Sequence, residues 1–421
     1  MSINKNKFEF SILSDDELQN LECNLLFVPT SSKINDKRKI IDFKTLTFCG
    51  ALKTQVLSAL GKSIAEEKLE ASNFWAFQLL LSGCVSTLFD KLISISAKQV
   101  NISNPRLPTF LLNKKKKLGK ILQIHNSKEY VLVLRNNQDL RHLLVELVSA
   151  ITLSRKRKLE SLPKLKQLDF SIQNFKKKLE SNNNNDIKHI LKENDPSEIR
   201  IAANELLYQL SNRNLNKALY WLSWILEWEK INIKKYKIFK VSSRNYEGID
   251  NKFSNNVIWL VWDIINFVKK ASFDLPFQGL KELDSLWNLY KLDFTLGTRS
   301  KKLIYIIWSM KMLISYVDWD LHLIEREFLY FHSLANVNLM IQKLKPNEIN
   351  HSVYDDDKYK IVVKNNYITS QNSRTFEIEK QNKIEQKRKD KRVKEAKKKK
   401  ISMNSLDKLE QLSKIDKYLN I

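Results

Sequence analysis

The chain has 421 residues, with 72 Lys and Arg against 47 Asp and Glu, so it carries a formal charge of +25 and an isoelectric point near 9.6. Apolar residues make up 43% and aromatics 10%, enough to bury a sizeable core, which excludes wholesale disorder. Only seven Gly and seven Pro occur, so the tight turns of a sandwich or barrel and the Gly-rich loops of nucleotide enzymes lack raw material, and the composition predicts an all-α protein.

In chain order the predicted elements are helical. After an irregular segment at 1–35, apolar residues at helical spacing (Ile40, Phe43, Leu46, Ala51, Val56 and Leu60) predict a helix over 36–60. Ser63-Ile64-Ala65-Glu66 has the pattern of a capping box, in which hydroxyl and carboxylate each satisfy a free amide at a helix start. The helix it would open carries Phe74, Trp75, Phe77, Leu79 and Leu80 and stops at Ser82-Gly83, where Gly can take the left-handed conformation. Ser86 caps a helix over 87–100, and Asn104-Pro105 starts the next. Another covers 137–158 and ends on Arg155, Lys156, Arg157 and Lys158, cations suited to the negative end of a helix.

Ser181-Asn182-Asn183-Asn184-Asn185 is a polar break with no means of packing. It divides a helical domain at 36–180 from a Trp-rich helical domain at 195–346, with a linker at 181–194. Asp195-Pro196-Ser197-Glu198 starts the second domain, whose helices fall at 199–210, 215–231, 255–270, 280–292, 299–317 and 321–344. Eight of the nine Trp lie between Trp221 and Trp319, which marks this half as the better packed. Only 130–134 and 359–363 have strand character, too little for a sheet. A charged arm follows at 347–403, and within it 376–400 holds twelve Lys and Arg against five Asp and Glu. Leu406, Leu409, Leu412, Ile415 and Leu419 make 404–421 an amphipathic helix suited to a protein partner.

Catalytic and metal motifs are weak. Leu60-Gly61-Lys62-Ser63 matches the end of a phosphate-binding loop, but Val56 stands where its first Gly belongs and no strand precedes it; a turn between helices accounts for it. Cys23, Cys49 and Cys84 form no CxxC pair, which fits a reducing compartment, and Cys84 has no sequence-local catalytic partner. His125, His142, His189, His322, His332 and His351 lack ligand spacing, so neither metal nor cofactor is expected. Glu227, Glu229, Asp263, Asp318, Asp320, Glu325 and Glu327 could assemble a two-metal nuclease site. Glu227 and Asp263 lie on helices among tryptophans, however, where a buried pair with Arg244 or Arg326 is the simpler account. No signal peptide opens the chain, and the apolar windows at 257–268 and 303–317 fall short of the roughly 18–20 residues that span a bilayer, so a soluble protein without a membrane partner is expected.

Charge is the strongest signal. Lys114, Lys115, Lys116 and Lys117 with Lys120, then Arg155 to Lys158, Lys176 to Lys178, Lys234, Lys235 and the arm with Lys387, Arg388, Lys389, Lys391 and Arg392 spread cations over the whole chain. Each cation placed on a phosphate releases counterions, so such a surface binds nucleic acid tightly, salt-sensitively and without regard to sequence. A coding bias toward Lys and Asn would enrich both residues too, yet +25 still favours an anionic partner, DNA before RNA. The spacing of Trp221, Trp224 and Trp228 marks a core helix face rather than a base-stacking platform.

Two resemblances add to this. Ala218-Leu219-Tyr220-Trp221-Leu222-Ser223-Trp224-Ile225-Leu226-Glu227, then Ser243-Arg244-Asn245, then Val257-Ile258-Trp259-Leu260-Val261-Trp262-Asp263, resembles a helical protein family of the nucleocytoplasmic large DNA viruses. The likeness extends over about 64–344, and Ser242 and Ser243 stand where that family would place cysteine. It implies a viral gene product acting in the host cytoplasm at the viral factory, in the virion or in the nucleus, and it supplies no activity. Asn73-Phe74-Trp75-Ala76-Phe77-Gln78-Leu79 with Ser82-Gly83, then 88–98, then Ile102-Ser103-Asn104-Pro105, is similar to the helical collar of clamp-loader-type AAA+ proteins, which implies a helical bundle that oligomerises at 63–158.

The expectation is therefore an all-α, non-enzymatic viral protein that binds nucleic acid through phosphates. It would serve with viral protein partners, and with homo-oligomerisation as an option, as an adaptor or scaffold in replication, transcription or genome packaging. A structural virion or capsid-assembly protein, and a metal-dependent nuclease, are the alternatives.

Overall fold

The computed structural model describes residues 29–123, 130–183, 186–236 and 239–349. The strand expected at 359–363, the arm from 350 on with Lys387, Arg388, Lys389, Lys391 and Arg392, the terminal helix, Cys23, His125 and His351 lie outside the described residues. Among the described residues the fold is all-α. They form fourteen α-helices joined by short 3-10 turns, with no strand beyond one isolated bridge between Leu46 and Leu52.

The chain divides into two compact units. Unit 1 holds the described residues of Met1–Asp90, Lys117–Leu153 and Arg326–His351, and unit 2 those of Lys91–Lys116 and Ser154–Glu325. The Asn-rich segment therefore lies inside unit 2, and its described part is not bare. Ser181 N donates to Glu205 Oε1 (2.9 Å), and Asn204 Nδ2 donates to Asn183 O (2.9 Å). Buried polar side chains supply the packing that the segment's own composition lacks.

In unit 1, α1 (Lys53–Ala65), α2 (Leu69–Leu81), α13 (Glu327–Ala335) and α14 (Val337–Leu344) pack around α6 (Gln138–Leu153). That central helix buries residues on every side, including Arg141, as a helix surrounded by others must. α3 (Val85–Gln99) begins in unit 1 and belongs to unit 2 from Lys91 on, α4 (Leu107–Gln123) belongs to unit 2 up to Lys116 and to unit 1 from Lys117 on, and α5 (Tyr130–Val133) in unit 1 is a single turn. The helix expected over 36–60 is only its last part. Residues 40–43 make one 3-10 turn, and a tight turn at Gly50 (φ +78°) precedes α1. Here Phe48 N donates to Ser82 Oγ (2.8 Å) and Thr47 Oγ1 to Gln78 Oε1 (3.0 Å), bonds from a distant helix that replace local helical ones.

Ser63 and Glu66 end α1 rather than open α2. Lys68 N donates to Ser63 O (2.9 Å) and Glu67 N to Ile64 O (3.2 Å), with Glu67 left-handed at φ +56°. Leu60-Gly61-Lys62-Ser63 is consequently helical, neither a phosphate loop nor a turn. α2 stops where expected: Cys84 N reaches Leu79 O and Gly83 N reaches Leu80 O (both 2.9 Å), with Gly83 at φ +70°. The expected strand at 130–134 is instead α5 and the start of a 3-10 turn, and among the described residues there is no strand for it to pair with. Its Val131 and Leu132 side chains press on Gly83, where a Cβ would stand 2.9 Å from Ile40 Cδ1 and 3.0 Å from Leu132 Cδ2. Gly83→Ala should therefore cost about 1–2 kcal/mol from the backbone conformation alone, more with the crowding, read as a lower denaturation midpoint.

In unit 2, α8 (Ser197–Ser211), α9 (Leu215–Tyr236), α10 (Val257–Ala271) and α12 (Leu296–Ile314) pack on one another, and α11 (Phe277–Lys291) packs on α12. α7 (Ile172–Lys176) is short. The two rows of tryptophans are core, as their spacing indicates. Trp221, Trp224 and Trp228 on α9 meet Phe170 and Phe175, while Trp259 and Trp262 on α10 meet Trp287, Tyr290 and Phe294. The segment 321–344 is not one helix: α13 and α14 meet at Asn336, whose side chain bonds back to His332 O (2.8 Å).

Candidate nucleic-acid interface

Of the basic runs, Arg155 to Lys158 has the most defined setting. It does not extend α6, which ends at Leu153. The chain instead crosses the last turn of α3, where helix geometry leaves carbonyls without intrahelical partners. Arg157 N donates to Gln99 O (2.6 Å) and Leu159 N to Lys98 O (3.0 Å), so the strap itself caps α3. Asn101, buried and left-handed at φ +41°, donates from Nδ2 to Arg157 O (2.5 Å). The Lys311 ammonium on α12 reaches Lys158 O (3.1 Å) and Glu160 Oε1 (2.9 Å).

The backbone of 157–159 is thus held on both edges while the Arg155, Arg157 and Lys158 side chains are exposed. Lys156 differs, since its Nζ folds back to Ser154 O (2.5 Å). Arg155 lies 3.3 Å from Glu325; among the described residues no ion pair involves Arg157 or Lys158. The negative end of α3 offsets part of their mutual repulsion, the same dipole argument that the sequence pattern invited for α6. Exposed Lys98 on α3 joins them, although it lies far off in the sequence and belongs to no basic run. Lys98, Asn101 and Lys311 are the residues of this site that sequence reasoning missed; their nearness depends on contacts across some 60 to 150 positions.

Lys114, Lys115, Lys116 and Lys117 occupy consecutive positions of α4 and so fan around the helix. Lys116 is exposed and the other three half-buried, with the Lys114 ammonium 5.0 Å from the Phe110 ring. Lys176, the last residue of α7, and Lys177 and Lys178 after it are exposed; Lys178 pairs with Asp169 (3.1 Å) and sits 3.7 Å over the Tyr220 ring.

The residues of the aromatic pattern at 218–263 divide three ways. Arg244 is buried and forms a two-toothed pair with Asp195 (3.0 and 2.7 Å) while its Nε donates to Asp263, which also accepts from the Tyr246 hydroxyl. Burial pushes the Asp195 carboxyl up, but hydrogen bonds from Arg244, Lys192 N and Ser242 N outweigh it and hold it below its ordinary value. Burial, then the bond to Asp263, pushes the Tyr246 hydroxyl up. Trp259 and Trp262 pack in the α10 aromatic cluster, and Trp221 and Trp224 in that of α9. Glu227 is not buried with a distant Arg: it lies at the surface beside Lys230 (2.7 Å), one turn on. Arg326 pairs with Glu67 instead (2.6 Å). Asp195 as a partner of Arg244, and Tyr246 as a donor to Asp263, are not legible in the sequence, where Asp195 has a sufficient role as a residue preceding a helix.

Among the described residues no three His, Cys, Asp or Glu side chains group as metal ligands, and no helix is long and apolar enough to cross a membrane. No family model, no curated protein and no solved structure matches the chain.

Proposed function

We propose that this is a non-enzymatic nucleic-acid-binding protein, DNA before RNA, that grips phosphates through the strap at 155–158 and serves as a helical adaptor in replication, transcription or genome packaging. The supporting observation is the strap itself: its backbone is bonded at 157, 158 and 159 while Arg155, Arg157 and Lys158 stand in solvent. A surface ordered before binding loses less conformational freedom on contact, so more of its charge is realised as affinity. The adaptor role draws support from Phe273 and Phe277, which are 100% and 81% exposed around the turn into α11, rings that a protein partner would cover. The large-DNA-virus setting rests on the residue pattern at 218–263.

Affinity for a duplex should fall steeply with salt and barely change with sequence. Replacing Arg155, Arg157 and Lys158 together by Ala should reduce the slope of log affinity against log salt by about 2 to 3, at roughly 0.9 per phosphate contact. The melting temperature should hardly move, since these side chains are exposed. A salt-independent affinity, or an unchanged slope in the triple variant, would remove the strap from the interface.

A further inference from the structure

Beyond the strap the chain runs directly to a cavity of about 490 Å³ in unit 2. Leu162, four residues past Lys158, lines it. Four residues reach at most about 14 Å. At the next position Pro163 O accepts from Ser223 Oγ on α9 (2.8 Å), which also lines the cavity, so the path from strap to cavity is tied down. Phe239 and Phe253, both half-buried, line the space along with apolar residues of α9 and α12. Phe253 is held edge-on to Phe294 with centroids 5.8 Å apart.

The charged groups at this cavity are four cations against two carboxylates. Glu229 is occupied by Arg299 and Glu227 by Lys230, and Lys252 pairs with Asp250 at the rim. Lys240, exposed beside Phe239, makes no ion pair among the described residues. This lining suits an occupant that combines a flat body with an anionic group. A nucleotide has both, and aromatic side chains bind any base by its face.

We infer that the cavity receives an unpaired base from a strand whose neighbouring phosphates lie on the strap, so that the protein prefers single-stranded over duplex nucleic acid. This rests on the phosphate-binding reading above and adds the form of the substrate. A paired and stacked base cannot enter, whereas a single strand offers each base without that cost.

The test uses the full chain and three labelled probes of equal length, at one salt concentration, read by fluorescence anisotropy: oligo(dT), a duplex, and a strand of abasic sites that keeps the phosphates. Oligo(dT) should bind at least about tenfold more tightly than the other two, the range that stacking a base on a ring supplies. Phe239→Ala should remove about tenfold from oligo(dT) binding and leave the duplex unchanged. Lys240→Gln, at an exposed position where folding is not at stake, should weaken oligo(dT) several-fold as an independent check. Equal affinities for oligo(dT) and the abasic strand, or oligo(dT) binding insensitive to both variants, would overturn the inference while a persisting salt slope kept the strap. Absence of salt-dependent binding to every probe would bring down both.

Discussion

Arg244→Met should destabilise the protein by about 3–5 kcal/mol, seen as a lower denaturant midpoint at pH 7. The substitution keeps most of the side-chain volume, so packing is not the main loss. What remains is Asp195, whose side chain is 1% exposed, without its cation, and Asp263 with only Tyr246 for company. Removing one member of a buried pair leaves a charge in a medium that solvates it badly, and that penalty exceeds the worth of the pair itself.

The pH dependence follows from the sign of the Asp195 shift. Its folded pKa lies below the ordinary 3.8, so the stability it contributes is fully present above that value and is lost as pH falls through the lower folded one. In Arg244→Met burial acts on Asp195 with its strongest opposing bond gone, and protonation relieves the strain. The difference between the two proteins should therefore narrow as the solution is acidified past pH 4. A difference that stays constant from neutral to acid would show that Arg244 acts through packing rather than charge.

Trp262→Ala comes next in size, at about 3–5 kcal/mol. The ring is 1% exposed and sits 4.9 Å from Trp287 and 5.2 Å from Tyr290, centroid to centroid, so truncation opens a void lined by large rigid rings that cannot collapse into it. Trp262→Phe keeps much of the volume and should cost well under half as much. A thermal melt of both variants checks this. Were Trp262→Ala to melt like the parent but bind single strands poorly, the ring would be a stacking platform and its burial would be wrong.

The scarcity of glycine bears on the fold class but does not mark where each helix ends. It pointed away from sheets, and the described residues are helical. The capping-box pattern at Ser63 to Glu66 places the boundary between α1 and α2 at Ser63, whereas those residues finish α1 and the chain turns at the left-handed Glu67. The protein ends α1 and α8 on Glu67 and Arg213, both left-handed at φ +56°, a conformation that costs a side-chain-bearing residue about 1–2 kcal/mol and that surrounding packing must offset. Nothing in a single residue's type announces such a stop.

What the sequence determined by itself was local: helical class, the core faces of α9 and α10, the stop at Ser82-Gly83, and the start after Pro196. Each depends on periodicity or on a cap within a few positions, interactions encoded by neighbours in the chain. The charge run at 155–158 was visible as charge, but its conformation was not. Only the tertiary structure detached it from α6, laid it over the end of α3 and held it with Asn101 and Lys311. The partner of Arg244 and the turn over 44–52 were settled in the same way, by hydrogen bonds from residues tens of positions distant. A polar group being buried must find a partner wherever the packed helices bring one, and that choice is made by the packing rather than by sequence spacing.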